Sequence, residues 1–271
     1  LINKFLQDKY NKDSSEINEL FTIWNQLMGD EKDIKQKGVD IQIPDKLRER
    51  NKCGIDYIDD AFGGEGFTPS TISLFTGEPG AGKTTLMLTL ANALTSQGYA
   101  CLFNTAEESL YQVKLTCERL ELGSGFIAGQ ESYVPRLLQD CNLIRDKYPN
   151  KPFFLIVDSL QTLNDGKYGE DHTNSQSAVR ALQMLTDYAK EHYINVICIG
   201  QVNKSGNMAG SQKLKHMVDA MLHLSIEKKD EDFKGLRVLE TIKNRFGGAG
   251  WTFYMDLKSR GFEEVARIGV R

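Results

Sequence analysis

No apolar run in this 271-residue chain approaches the roughly 18 residues that a membrane-spanning helix needs, so no membrane partner is expected. Nor does Leu1-Ile2-Asn3-Lys4-Phe5 open the apolar core of a secretory signal. The five cysteines (Cys53, Cys101, Cys117, Cys141, Cys198) are odd in number, widely spaced and without a Cys-x-x-Cys pair. That argues against a disulfide framework or a zinc ribbon. Cys101 and Cys198 lie in apolar runs and read as core packing. Four histidines (His172, His192, His216, His223) show no ligand spacing, and no metal is assigned to them. A positive surplus is missing as well. With a net charge of −4, any nucleic-acid contact has to come from a local patch or an assembled surface. The expected compartment is a reducing cytoplasm. Hydrophobic residues at 40% and charged residues at 26% describe an ordinary soluble composition able to bury a sizeable core.

What is present is a phosphate-binding loop. Gly77-Glu78-Pro79-Gly80-Ala81-Gly82-Lys83-Thr84 fits G-x-x-x-x-G-K-[ST] at every fixed position. It follows the apolar run Thr71–Phe75 and opens a helical pattern, and that strand–loop–helix context separates a real phosphate loop from a chance match. The glycines and the turn at Pro79 let successive backbone N–H groups face phosphate oxygens, with a helix N-terminus behind them. Lys83 is expected to neutralise the β- and γ-phosphates, Thr84 to ligate Mg²⁺, and Thr85 to complete the cradle. ATP and Mg²⁺ are therefore the expected cofactors.

Residues 1–50 are highly charged, with one amphipathic stretch from Glu16 to Met28 that places Ile17, Leu20, Phe21, Trp24, Leu27 and Met28 on one stripe. So apolar a face on a short helix needs cover, either from its own chain or from a neighbouring subunit. Residues 51–271 read as the catalytic domain. Strands are expected at Thr71–Thr76, Ala100–Thr105, Phe153–Val157, Asn195–Ile199, Ala220–Ile226, Leu236–Ile242 and Thr252–Asp256. Helices are expected at Thr84–Gln97, Leu110–Leu120, Tyr133–Lys147, Asn174–His192 and Leu214–Val218. This alternation predicts an α/β fold: a mainly parallel twisted sheet with helices on both faces, an antiparallel edge from the closing strands, and a helical N-terminal extension.

Other residues converge on the nucleotide. Phe153–Val157 ends in Asp158, a carboxylate placed at a strand's C-terminal end to hold Mg²⁺ through water. Glu107 and Glu108 follow the second strand; Glu107 is the preferred base for the attacking water, with Glu108 the alternative, and the other acid starts the next helix. Gln201 follows the strand Asn195–Ile199, where its amide can bond the γ-phosphate. Two long connections, 164–173 with Lys167 and Tyr168 and 202–213 with Lys204 and Lys213, leave the sheet on the same side. They are either solvated loops or carriers of single-stranded DNA, which lysines and a stackable aromatic suit.

Taken together, these residues resemble the RecA-type ATPase core and specifically the RadA/Sms family of DNA-repair ATPases. The signature is Lys243-Asn244-Arg245-Phe246-Gly247, supported by Ala106–Ser109 with Gln112, Arg119 and Leu120, by Val157–Thr162, and by Gly200–Lys204, Met208–Gly210 and His216–Asp219. Gly54–Asp59 with Gly63 and Gly64 looks like the family's entry into the core. The resemblance implies a RecA-like fold and a hexameric homo-oligomeric ring with ATP bound between subunits and single-stranded DNA threaded through pore loops. It also implies that Lys243 and Arg245 act in trans on the neighbour's γ-phosphate, and that a recombinase or replication protein is a partner. The family's N-terminal four-cysteine zinc finger and C-terminal Lon-protease-like domain have no counterpart in this sequence, and its sensor-segment His is Gln201 here. The expectation is thus a reduced core acting as a branch-migration or helicase motor. A DnaB-type replicative helicase core and a KaiC-like regulatory ATPase are the alternatives.

Overall fold

Apolar runs separated by glycine turns and helix starts become the nine strands of one sheet, ordered β3-β2-β4-β5-β1-β6-β7-β8-β9. The structure, a computed structural model, describes residues 41–123, 125–169, 173–174, 176–201, 211–248 and 250–269. The Glu16–Met28 stretch and Lys204 lie outside the described residues. The chain divides into two units, Leu1–Pro44 and Asp45–Arg271, and the sheet belongs to the second.

The elements run α1 (Asp56–Ala61), β1 (Thr71–Gly77), α2 (Lys83–Ser96), β2 (Ala100–Thr105), α3 (Leu110–Arg119), β3 (Ile127–Gly129), α4 (Val134–Lys147) and β4 (Phe153–Asp158). They continue with α5 (Ser177–His192), β5 (Asn195–Gln201), α6 (Ser211–Met217), β6 (Ala220–Ile226), β7 (Arg237–Asn244), β8 (Trp251–Lys258) and β9 (Gly261–Gly269). Strands β3, β2, β4, β5, β1 and β6 are parallel, while β7, β8 and β9 add an antiparallel edge.

Every residue of β1, β2 and β4 is buried, which is why these strands read as largely apolar stretches and not as apolar-polar alternation. Their side chains divide between two cores. Phe154 and Ile156 join α1 and α2 on one face; Phe153, Leu155 and Val157 join α4 and α5 on the other. In α2, Leu86, Leu88, Leu90 and Leu94 are fully buried, each contributing about 1.5–3 kcal/mol over exposure. Cys101 and Cys198 fall in the two cores, as expected, and all five cysteines are free thiols.

Some boundaries differ from the sequence reading, each for a local reason. Helix α5 begins at Ser177 and not at Asn174, because the Asn174 Oδ1 accepts from the Gln176 backbone N–H at 2.9 Å, a turn that competes with helix. Helix α6 begins at Ser211, so Lys213 lies on a helix and not in a loop. Neither Glu107 nor Glu108 starts α3: Ser109 is its N-cap, closing a capping box with Gln112. Strands β4 and β5 run on to Asp158 and Gln201, which sets both residues by sheet register. Elements α1, β3 and β9 were not expected.

Candidate active site

The ends of four parallel strands place the site. Register puts Gly77 of β1 beside Gln201 of β5, and Thr105 of β2 beside Asp158 of β4. The loops leaving these strands therefore open into one crevice, where ligands of parallel α/β sheets gather. That cleft, about 500 Å³, is lined by Gly77, Pro79, Gly80, Gly82, Lys83, Thr84 and Thr85, with Glu107, Asp158 and Gln201 facing them and Ile199 and Leu257 as apolar walls.

Backbone conformation builds the cradle. Gly80 and Gly82 have φ of +76° and +102°, a region costly for residues with a Cβ. Gly82 is the N-cap of α2 and carries no capping side chain, so the first N–H groups of that helix face the cleft. A Cβ on Gly82 would lie 2.8 Å from Phe262 Cζ and 3.1 Å from Leu257 Cδ2, so the hairpin of β8 and β9 packs directly on the loop. Two loop residues turn their side chains away from the cleft while their backbone stays part of the loop. Ala81 is fully buried in the core, and the Glu78 carboxylate pairs with Lys228 Nζ at 2.6 Å.

The Lys83 ammonium donates to the carbonyls of Gly77 and Glu78, each at 3.0 Å. Burial pushes its pKa down, against the opposing pull of Asp158 and Glu107. Thr84 Oγ1 donates to Asp158 Oδ2 at 2.7 Å. Asp158 is 3% exposed. Its pKa is pushed up to about 6, first by burial and then by Glu107 and Glu108, against the hydrogen bond from Thr84. A buried carboxylate beside a threonine hydroxyl, both oxygen donors, is a donor set that fits a hard divalent cation. Thr84 and Asp158 can hold Mg²⁺, and the loop amides with Lys83 can hold phosphates.

Of the two neighbouring acids, Glu107 lines the cleft and Glu108 does not. Thr105 Oγ1 accepts from both of their backbone N–H groups, at 3.3 and 3.2 Å. The Glu107 Oε1 accepts from Gln201 Nε2 at 2.6 Å and from Ser159 Oγ. Gln201 is held in turn through its backbone N–H, which donates to Gln161 Oε1 at 3.1 Å. Ser159 and Gln161 fall within the Val157–Thr162 stretch that carries part of the resemblance, but no role was read for either of them from the sequence.

Lys243 and Arg245 are not part of this cleft. Antiparallel β7 ends at Asn244, paired with Ala220 at the start of β6, whereas Gly77 is paired with Leu224 four residues on. That is roughly 13 Å of strand at about 3.3 Å per residue. Lys243 Nζ donates to the carbonyls of Lys215 and Val218, at 2.8 and 2.6 Å. Arg245 pairs with Asp219 at 3.1 Å and reaches the carbonyl of His216 at 3.3 Å. Both cations thus cover the C-terminal end of α6, where they complement its dipole. Among the described residues, Lys83 is the only cation lining the cleft.

The connection after β4 carries Lys167 and the half-exposed Tyr168. Lys167 Nζ lies 5.5 Å and Arg180 Cζ 5.4 Å from the Tyr168 ring centre. Arg180 also pairs with the nearly buried Asp165, pulling the Asp165 pKa down and fixing the root of this loop to α5. Lys213 is exposed on α6. Among the described residues no helix is long and apolar enough to cross a membrane.

Comparison with known proteins bears on this arrangement. A family model described as ATPase: KaiC matches residues 51–127. The DNA repair protein RadA of Aquifex aeolicus (strain VF5) is 32% identical over 219 residues, 80% of this chain and 46% of that protein. RadA of Mycobacterium tuberculosis (strain CDC 1551 / Oshkosh) is 34% identical over 198 residues, 72% of this chain and 39% of that protein. RadA of Listeria monocytogenes serovar 1/2a (strain ATCC BAA-679 / EGD-e) is 30% identical over 230 residues, 83% and 47%. The chain thus spans less than half the length of the curated relatives it matches. Among solved structures, a chain described as an ATPase domain superposes with a TM-score of 0.70 at 14% identity, covering 94% of this chain and all of that one. That likeness is one of fold.

Proposed function

We propose that this chain, 30–34% identical to RadA proteins over most of its own length, is a RadA-like ATPase of the RecA type and an ATP-driven motor of DNA recombination and repair. In this reading it works as a hexameric ring on single-stranded DNA, in the cytoplasm, with residues 51–271 as its ATPase domain and 1–50 as a helical extension and linker. The observation that carries the reading is the incompleteness of the cleft. Phosphate loop, metal donors and base converge within one chain, but the stabilising cations Lys243 and Arg245 sit at the far end of β6. A neighbouring copy can present them where its own fold cannot.

Each residue then has a role. The loop amides and Lys83 bind the triphosphate, and Thr84 and Asp158 would hold Mg²⁺, which would draw charge from the phosphates. Glu107 takes a proton from water, whose oxygen bonds to the γ-phosphorus as the bond to the β,γ-bridging oxygen breaks, giving ADP and phosphate. Gln201 bonds the γ-phosphate. Lys243 and Arg245 of the adjoining copy stabilise the charge on the transferring group, a contribution of orders of magnitude in rate for such cations. Lys167, Tyr168, Lys204 and Lys213 contact DNA: the first two follow β4 and Lys204 follows β5, strands whose ends flank the nucleotide, while Lys213 is exposed on α6.

Turnover of the chain with ATP and Mg²⁺, with and without a single-stranded oligonucleotide, tests this. Stimulation by DNA that fades as salt rises is the expected result. The KaiC match over 51–127 favours a second reading, a regulatory ATPase that moves no DNA. Basal turnover indifferent to DNA at every salt concentration would decide for it, and no turnover at all would remove both.

A further inference from the structure

We propose that Ser159 is a positioning residue for hydrolysis, and that with Gln201 it clamps one carboxylate oxygen of Glu107 so that the other is presented to the attacking water. The inference rests on the reading of Glu107 as the base. Ser159 follows Asp158 at the end of β4 and is fully buried. Its hydroxyl donates to Glu107 Oε1, the same oxygen that accepts from Gln201 Nε2 at 2.6 Å. Two donors engage both lone pairs of that oxygen. Among the described residues none donates a hydrogen bond to Oε2.

The arrangement answers a specific requirement. A glutamate side chain has three rotatable bonds, and holding it in one arrangement costs rotamer freedom. A general base has to lie about 2.6–3.2 Å from the water it deprotonates. Two donors from different strand ends fix both the position and the plane of the carboxylate, while Oε2 is left without a competing donor. The support continues beneath them. Thr162 Oγ1 donates to the Ser159 carbonyl at 2.7 Å, closing the turn, and Gln161 of that turn holds the Gln201 backbone at 3.1 Å. One turn after β4 thus sets both partners of Glu107, Ser159 directly and Gln201 through Gln161.

The test is steady-state ATP hydrolysis by the full chain as wild type, Ser159→Ala, Ser159→Cys and Glu107→Gln, with folding checked by thermal melting. The expected result is a fall in kcat of about tenfold or more in both Ser159 variants, with KM for ATP within about twofold of wild type. Cysteine keeps the volume of the buried side chain but is a weak donor, so it separates the hydrogen bond from packing and stays measurable if Ser159→Ala fails to fold. A wild-type kcat in Ser159→Cys, or a loss confined to KM, overturns the positioning role. Glu107→Gln separates the two levels. If it hydrolyses ATP at the wild-type rate, the base reading itself fails. If it is inactive while Ser159→Cys is fully active, only the present inference falls.

Discussion

Lys83 shows how far a motif reaches and where it stops. The spacing alone puts its ammonium among phosphates, and in the structure that ammonium rests on two loop carbonyls inside the cleft. Lys83→Ala is expected to abolish hydrolysis, read as phosphate release; turnover near wild type would remove the phosphate-loop assignment. The adjacent acids were harder to separate. The sequence reading preferred Glu107 as the base with Glu108 as the alternative, and in the structure only Glu107 turns into the cleft, where Ser159 and Gln201 hold it. Glu107→Gln should keep nucleotide affinity while losing at least about a hundredfold in kcat, within the range usual for general bases. Glu108→Gln should leave kcat within a few-fold of wild type. The reverse pattern, with ATP binding intact in both, would exchange the two roles. Ser159 and Gln161 stood in a recognised stretch, but their roles were not legible because their contacts join residues 52 and 40 positions apart, and no local pattern encodes such pairs.

At the scale of elements, legibility follows burial. Strands β1, β2 and β4, buried at every position, are rich in apolar residues with no solvent-facing alternation, which makes them legible. Strand β9 buries only Gly261 along its length, and β3 is three residues long, so neither offers a run to detect. Helix α1, six residues, is too short for a periodic signal. The capping box of α3 gives a measurable check. Ser109→Ala should cost about 1 kcal/mol, seen as a lower denaturant midpoint with an unchanged slope. The phosphate loop offers a sharper one, since Gly82 combines positive φ with contact from Phe262. Gly82→Ala should lose roughly 1–3 kcal/mol through backbone strain and weaken nucleotide binding by more than tenfold in a titration. A variant with wild-type affinity would show that the β8–β9 hairpin yields without disturbing the cradle.

For the whole molecule, the question is whether one copy suffices. If Lys243 and Arg245 serve a neighbour, Arg245→Ala should leave nucleotide binding intact while hydrolysis collapses. Mixing it with Lys83→Ala should then restore part of the turnover. One variant still offers Lys83 and the other still offers Arg245, so a mixed interface can assemble an intact site. Mixed oligomers that form but hydrolyse no faster than the sum of the two variants would rule out the exchange.

The same two cations already have an occupation at home. Lys243 and Arg245 together reach the carbonyls of Lys215, His216 and Val218 at the end of α6. Two side chains cannot stopper a helix in one copy and sit on a phosphate in the next at the same instant. Contact across the interface would therefore be an exchange of partners, and those carbonyls would need water or another donor in return.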